Sequence, residues 1–417
     1  MQKIYLCIDL KSFYASVECA DRGLDPFTVN LVVADPTRGS GAITLAATPA
    51  IKRYGVKSRG RIFEIPKGIE YITAMPRMTL YMEYSARIYR IFLKYISSED
   101  IHVYSIDESF LDITPYLSLY NMRAKQLAKM ILDDILEETG ITATVGIGTN
   151  LYLAKVALDI TAKHTKDNMG VLTEDLYKQT LWHHRPITDF WMIGKGNARR
   201  LEKLGIYDMY GVAHFPQEKL YKVFGVNAEY LIDHAWGKEP VEIADIKAYQ
   251  PSCNSISNSQ ILFEDYNYQD AFLVMKEMVE SNVLSLTEKH LVTNHISLYI
   301  GYSKDIIKSS RGSRKITNTT NSYRLLIEEF IKLYKKITNP NYPIRQIAIS
   351  FGNVKDEIYE QYDLFADIED IEKEKRVQET LVNIRNKYGK NAALKGMNFQ
   401  EKATARKRNK LVGGHNA

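Results

Sequence analysis

Two adjacent carboxylates, Asp107 and Glu108, stand inside a stretch that otherwise reads as buried strand: "IHVYSI" leads into them and "SFLDIT" leads out. Burying an unpaired charge is costly, and two like charges side by side add repulsion. A chain that keeps both must turn toward solvent there or bring positive charge to them, so the pattern predicts a hairpin with the pair at its tip. A third carboxylate tightens the constraint. "KIYLCID" alternates, with Ile4, Leu6 and Ile8 on one face and Tyr5, Cys7 and Asp9 on the other. If the two strands are neighbours in one sheet, Asp9, Asp107 and Glu108 converge. Such a group calls for cations, and hard oxygen ligands select Mg2+ or Mn2+. Two such ions suit in-line displacement at phosphorus.

The surrounding pattern gives a multidomain α+β chain. After the first strand a helix is expected, with Ser12 as its N-cap. Residues 22–80 read as a small inserted subdomain, and 82–96 have helical spacing. The carboxylate hairpin follows, then a helix ending at Gly140, the strand "ITATVGIG", and a helix behind Asn150. This order fits a ferredoxin-like sheet with helices on one face and an open face carrying Asp9. Residues 171–240 look helical, 241–250 look like a linker, and 251–355 look like a second α+β domain with three strand-like runs. Residues 356–417 read as a charged tail containing a helix near 368–388 and a basic end.

Three segments in this order, "IDLKSFYASVE" (8–18), "YSIDESFLDIT" (104–114) and "VGIGTNLYLAKVALDITAKH" (145–164), resemble the palm signatures of Y-family DNA polymerases. The closing "IRNKYGKNAALKG...ATARKRNKLVGGH" resembles the bacterial UmuC-like branch. The resemblance implies a right-hand architecture: palm at 1–21 and 81–170, fingers at 22–80, thumb at 171–240 and little finger at 251–355. It also implies nucleotidyl transfer from a dNTP to a primer 3′-hydroxyl with two Mg2+ ions, in damage tolerance and SOS-type mutagenesis. Asp9, Asp107, Glu108 and the Leu10 carbonyl would hold the ions. The opening of the first helix, Lys11, Ser12, Phe13 and Tyr14, would cradle phosphate. Tyr14, expected to face outward with Glu18, falls at the family's sugar gate, whereas Phe13 shares a stripe with Val17 and is expected in the core. Lys52, Lys163 and Thr48 are the triphosphate candidates, although Pro49 stands where the better-known form has tyrosine.

Grip on primer-template DNA is expected from two places. "PITDFWMIGKGNARRLEKLGIYDMYGVA" resembles a helix-hairpin-helix, in which Gly194, Lys195 and Gly196 meet a phosphate and Leu201, Leu204 and Ile206 pack the helices. "KDIIKSSRGSRK" supplies Lys304, Lys308, Arg311, Arg314 and Lys315 as a phosphate-tracking strip. "QYDLF" looks like the peptide that enters a bacterial sliding clamp, with Gln361, Asp363, Leu364 and Phe365 as its contacts. A recombinase or accessory subunit is a further partner that the resemblance allows. Composition agrees: the net charge of +5 permits a polyanionic partner, and three scattered cysteines argue against a disulfide framework or zinc site. Neither a membrane span nor a signal peptide is evident, so a cytoplasmic location is expected. Two other classes stay open. A non-catalytic DNA-binding accessory would leave the carboxylates unexplained, and a nucleotidyl cyclase would not need the hairpin module or the clamp-like peptide.

Overall fold

The computed structural model describes residues 2–251, 254–303, 306–361 and 367–417. The chain divides into two compact units: residues 1–249 with 415–417, and residues 250–414.

The first unit opens with β1 (Tyr5–Leu10) and α1 (Phe13–Asp21). The inserted subdomain contains β2 (Leu31–Val33), β3 (Ala46–Ala47), α2 (Pro49–Lys52) and β4 (Ile72–Ala74) in a small sheet ordered β3-β2-β4. Then come α3 (Met78–Phe92), β5 (Ile101–Val103), β6 (Glu108–Asp112), α4 (Thr114–Leu119), α5 (Ala124–Thr139), β7 (Ala143–Gly148), α6 (Leu151–Val156) and β8 (Met169–Leu172). The main sheet is ordered β5-β6-β1-β7-β8, which puts β1 at its centre. Leu6 and Ile8 are buried on the face opposite Asp9, and α3 borders a cavity with Ile8 and Leu10. Helix α3 starts earlier than the spacing from residue 82 suggests, and Arg77, just before it, is tied to Glu18 and Asp21. Gly140 at φ 70° ends α5, and Asn150 caps α6 by accepting from the Leu153 amide at 2.8 Å.

The Asp9 face is only partly open. Gly146 and Gly148 lie across β1 from Cys7 and Tyr5, and α6 sits directly on them. A Cβ would fall 2.0 Å from the Ala154 carbonyl oxygen at Gly146 and 2.1 Å from the Ala154 amide nitrogen at Gly148. Five helices follow: α7 (Glu174–Thr180), α8 (Lys195–Glu202), α9 (Met209–Ala213), α10 (Gln217–Phe224) and α11 (Ala228–Ala235). They share a core that includes Leu201, Ile206, Leu220 and Leu231. The expected linker is partly a helix, α12 (Ile243–Ala248), because Ile243 is buried against Tyr5, Cys7 and Phe110.

In the second unit, β9 (Asn254–Tyr266), α13 (Tyr268–Glu288), β10 (Leu291–Tyr302), β11 (Ser310–Thr320), α14 (Tyr323–Ile337) and β12 (Ile344–Asp356) form an antiparallel sheet ordered β11-β10-β12-β9. The sheet has four strands where the sequence suggested three. β11, "SRGSRKITNTT", is too polar to read as a strand and pairs through its backbone with β10. The charged tail is also corrected. Helix α15 (Ile368–Tyr388) and α16 (Ala405–Arg408) belong to this unit. Glu277 on α13 is buried and accepts from the side chain of Asn398, the amides of Thr404 and Ala405, and the Thr404 hydroxyl. Buried polar pairing, invisible in a pattern of apolar residues, fastens this segment.

Candidate active site

Strands β1 and β6 pair with Asp9 directly opposite Glu108. The Leu10 amide donates to the Asp107 carbonyl at 3.0 Å, which ties the end of β1 to the turn. The amides of Tyr104 and Ser105 both donate to the Glu108 carbonyl, and the Ser105 hydroxyl donates to Asp107 Oδ1 at 2.7 Å. The expected hairpin is therefore present, with all three carboxylates at one end of the two strands. Burial and the charges of Asp107 and Glu108 push the Asp9 carboxyl up to about 7, with partial relief from Lys155.

Lys155 was not a sequence candidate. It is buried on α6, with its ammonium 2.8 Å from Glu108 Oε1 and 3.1 Å from the Asp159 carboxylate. The Cys7 thiol donates to the same Glu108 oxygen at 3.2 Å. The available signal was the four-residue spacing of Lys155 and Asp159 in "AKVALD", which on a helix makes a pair. Among the described residues, no three histidine, cysteine or acidic side chains stand close enough to enclose a metal ion. The donor set still fits a hard divalent cation, because it is all oxygen and carries an excess of negative charge that the raised Asp9 registers.

Beyond Val156 the helix widens through one π-helical turn, Ala157–Thr161, and Lys163 follows, exposed. The turn accommodates one residue more than an α-turn, an arrangement frequent at functional sites. Burial and the charge of Lys163 lower the Lys52 ammonium, while Asp9 raises it, so these three groups share one neighbourhood. Lys52 donates to the Ser12 hydroxyl at 2.8 Å. Ser12 does occupy the N-cap of α1, but at φ 49° its side chain makes no capping bond.

Helix α1 also departs from expectation. The Lys11 amide donates to the Thr142 carbonyl at 2.9 Å, so it is not free for phosphate, and its ammonium bonds Asn168. The amides of the first helical turn, from Phe13 onward, lack intrahelical acceptors. Phe13 is buried, as its stripe suggested, and Tyr14 is half-buried. Tyr14 stacks on Tyr81 at 4.5 Å between ring centroids and 16° between planes. Burial first, then the nearby charge of Asp107, raises its hydroxyl pKa. Glu18 does not face outward. It is fully buried, bound by Arg77 Nη2 at 2.6 Å and Nε at 3.0 Å, by the Tyr81 hydroxyl at 2.6 Å and by Arg22. Thr48 is corrected as well. It is buried, its hydroxyl donates to the Val29 carbonyl at 2.8 Å and accepts the Leu31 amide at 3.1 Å, and it caps α2. Nothing is left for a nucleotide.

Gly194 caps α8, and Gly194, Lys195 and Gly196 are exposed with open space around both glycines. In the second unit, Arg311 and Lys315 alternate away from buried Ile316, so they lie on the sheet face opposite the helices. Arg314 is on the helix side, 2.8 Å from Glu329, and leaves the expected strip. Ser313, Ser297, Ser350 and Ser257 are register partners in one line across the four strands. Lys308 is exposed just before β11. Lys304, Asp363, Leu364 and Phe365 lie outside the described residues. Gln361 is held through its amide on the Thr319 carbonyl at 2.8 Å and through its side-chain oxygen, which accepts from the Thr319 hydroxyl at 3.2 Å.

Residues 8–159 match the impB/mucB/samB family, and residues 254–364 match the impB/mucB/samB family C-terminal domain. "Putative UV-damage repair protein UvrX" of Bacillus subtilis is 34% identical over 99% of this chain and 98% of its own length. "DNA polymerase IV 2" of the same organism is 28% identical over 99% of both. Among solved structures, the Y-family DNA polymerase chimera Dbh-Dpo4(243-245)-Dbh aligns with a TM-score of 0.65 at 23% identity, covering 85% of this chain and 99% of that one.

Proposed function

The chain belongs to the impB/mucB/samB family of Y-family DNA polymerases, and from that premise we propose how its residues carry out lesion-bypass synthesis. It is a template-directed DNA polymerase that extends a primer from dNTPs and releases pyrophosphate. The observation that carries the reading is the trio Asp9, Asp107 and Glu108 at one end of β1 and β6, with an excess of negative charge. Asp9, Asp107, Glu108 and the Leu10 carbonyl would hold two divalent ions, Mg2+ with Mn2+ able to replace it. When bound, these ions supply charge stabilisation at the reacting phosphorus and acidify the attacking hydroxyl.

The chain's own groups do the rest. Lys52 and Lys163 neutralise the triphosphate, and the free amides that open α1 bind its oxygens. Tyr14, held flat by Tyr81, fills the space a ribose 2′-hydroxyl would need. The Gly194–Gly196 turn and the serine-lined face bearing Arg311 and Lys315 track DNA phosphates without reading sequence. Small side chains let the duplex approach that face closely. DNA work of this kind supports a cytoplasmic location, and no helix among the described residues is long and apolar enough to cross a membrane. The segment Gln361–Phe365 binds the sliding clamp, exchanging Gln361's bonds to Thr319 for bonds to the clamp. Leu364→Ala with Phe365→Ala should then weaken clamp binding in a calorimetric titration, and unchanged affinity would remove the clamp from the reading. The central test is primer extension by purified protein with a template, dNTPs and Mg2+. Failure to extend any primer would overturn it.

A further inference from the structure

Lys155 is 8% exposed, yet it carries a charge in the middle of an acidic cluster. Its ammonium reaches Glu108 Oε1 at 2.8 Å and Asp159 at 3.1 Å, and the Cys7 thiol points at the same Glu108 oxygen from 3.2 Å. Oε1 is thus occupied from two sides, while among the described residues no hydrogen bond reaches Oε2. The lysine has little room to move. Its helix rests backbone to backbone on Gly146 and Gly148, and the π-turn after it rests on Gly170, where a Cβ would fall 2.3 Å from the Ala157 carbonyl. The fold spends three side-chain-free positions to bring this helix close enough for Lys155 to reach β6.

We propose that Lys155 is a positioning residue of the carboxylate site: its ammonium substitutes for a divalent ion in the ion-free enzyme and fixes Glu108 through Oε1, leaving Oε2 for the ion. The proposal rests on the reading of Asp9, Asp107 and Glu108 as ion ligands. It explains how a cluster of like charges stays assembled between catalytic cycles, when no divalent ion offsets the repulsion. A lysine that merely packs the helix would matter equally with and without ions. A substituting cation matters most without them.

That difference is measurable in the full chain after chelator treatment, by thermal unfolding with and without Mn2+. Wild type should gain stability from Mn2+. Lys155→Met, which keeps the length and removes the charge, should melt lower without ions and gain more from Mn2+, by several degrees, so that the two proteins converge when ions are present. Lys155→Arg should respond as wild type does. In primer extension, Lys155→Met should lower kcat while leaving KM for dNTP nearly unchanged. If Lys155→Met is offset from wild type by the same amount with and without Mn2+, the lysine only packs the helix and the proposal falls, while the ion-site reading stands. If Mn2+ stabilises neither protein, the ion-site reading falls and takes the proposal with it. Should Lys155→Met fail to fold without ions, recovery on refolding in Mn2+ supports the proposal, and no recovery overturns it.

Discussion

Asp9 and Glu18 are both acids of the first unit, on consecutive elements, Glu18 fully buried and Asp9 half-buried. They have opposite fates. Burial opposes ionisation of Glu18, but bonds from Arg77, Tyr81 and Arg22 outweigh it and hold the carboxyl below its usual range. Asp9 has carboxylates for neighbours and is pushed up to about 7. Glu18 is finished by the fold, whereas Asp9 is left in need of a cation. Burial of an acid therefore says little about its role, and its company says most of it.

The largest effect should come from the unfinished cluster. Asp107→Ala or Glu108→Ala should reduce primer extension by about a thousandfold or more, since losing an ion ligand removes several kcal/mol of transition-state stabilisation at ~1.4 kcal/mol per decade. DNA binding, measured by anisotropy, should persist, and for Asp107→Ala stability of the ion-free protein should not fall, because a repulsion has been removed, whereas Glu108→Ala also takes a partner from the buried Lys155 and should melt lower. Extension near the wild-type rate would end the catalytic assignment.

The finished acid should behave in the reverse way. Glu18→Ala removes a buried carboxylate that holds Tyr81, Arg22 and Arg77, and because Arg77 is 38% exposed and keeps Asp21, the cost should be about 1–3 kcal/mol, that of the charged hydrogen bonds lost. Denaturant unfolding should show that loss. The folded fraction should extend primers at a rate much closer to wild type than the Asp107 or Glu108 variants. A stable Glu18→Ala protein with abolished extension would place Glu18 in the chemistry and erase the contrast.

Sequence pattern reached the two acids unequally. Asp9, Asp107 and Glu108 were legible because each interrupts an apolar strand, where a charge has no packing reason to be. Glu18 looked like a helix surface residue, since its partner Arg77 lies 59 positions away and helical spacing carries no information over that distance. Thr48 failed for the same reason, with its hydroxyl satisfied by Val29 and Leu31 across a sheet. Lys155 was missed because a lysine on a predicted helix reads as solvated, and only the glycine seat beneath it reveals a buried end. The sheets and most helices were legible from periodicity. β11 was not, since backbone pairing needs no apolar side chains, nor was the docking of residues 367–414, which rests on buried polar bonds.

Sugar selection sits between the two acids, on the pair Tyr14 and Tyr81. Tyr14→Ala should let the enzyme incorporate ribonucleotides, because filling occupied space typically costs ~1–3 kcal/mol, or roughly tenfold to a hundredfold in rate. Single-turnover incorporation of dNTP and rNTP checks this. An unchanged preference would move the gate elsewhere on α1.

The pH dependence should carry opposite signs at the two acids. Asp9 is raised in the folded state above its usual 3.8, so the ion-free fold holds an extra proton between about 4 and about 7 and loses stability as pH rises through that window. Glu18 is lowered from 4.5, so its contribution is present above that value and is lost as pH falls below it. Since ions bind the deprotonated carboxylate, apparent Mn2+ affinity should weaken by up to about tenfold per unit below pH 7. Affinity that stays flat from pH 5 to 8 would show that Asp9 does not compete with the ion.

The smallest effect tests the joint between the two regions. Tyr81 donates its hydroxyl to Glu18 Oε1 at 2.6 Å and offers its ring to Tyr14 at 4.5 Å. One side chain therefore links the finished acid to the gate, and the two contacts use different atoms. Tyr81→Phe removes the hydroxyl and keeps the ring. Glu18 still has Arg77 and Arg22, so the loss should be about 1 kcal/mol, that of a single hydrogen bond, visible as a lower denaturant midpoint. Sugar preference should be unchanged, because Tyr14 still has a flat surface beneath it. Tyr81→Leu removes the ring as well, and should lower the dNTP-over-rNTP ratio severalfold by letting Tyr14 tilt. If Tyr81→Phe alone relaxes sugar preference, the Glu18 bond is what holds the gate, and the two acids act on the incoming nucleotide together instead of separately.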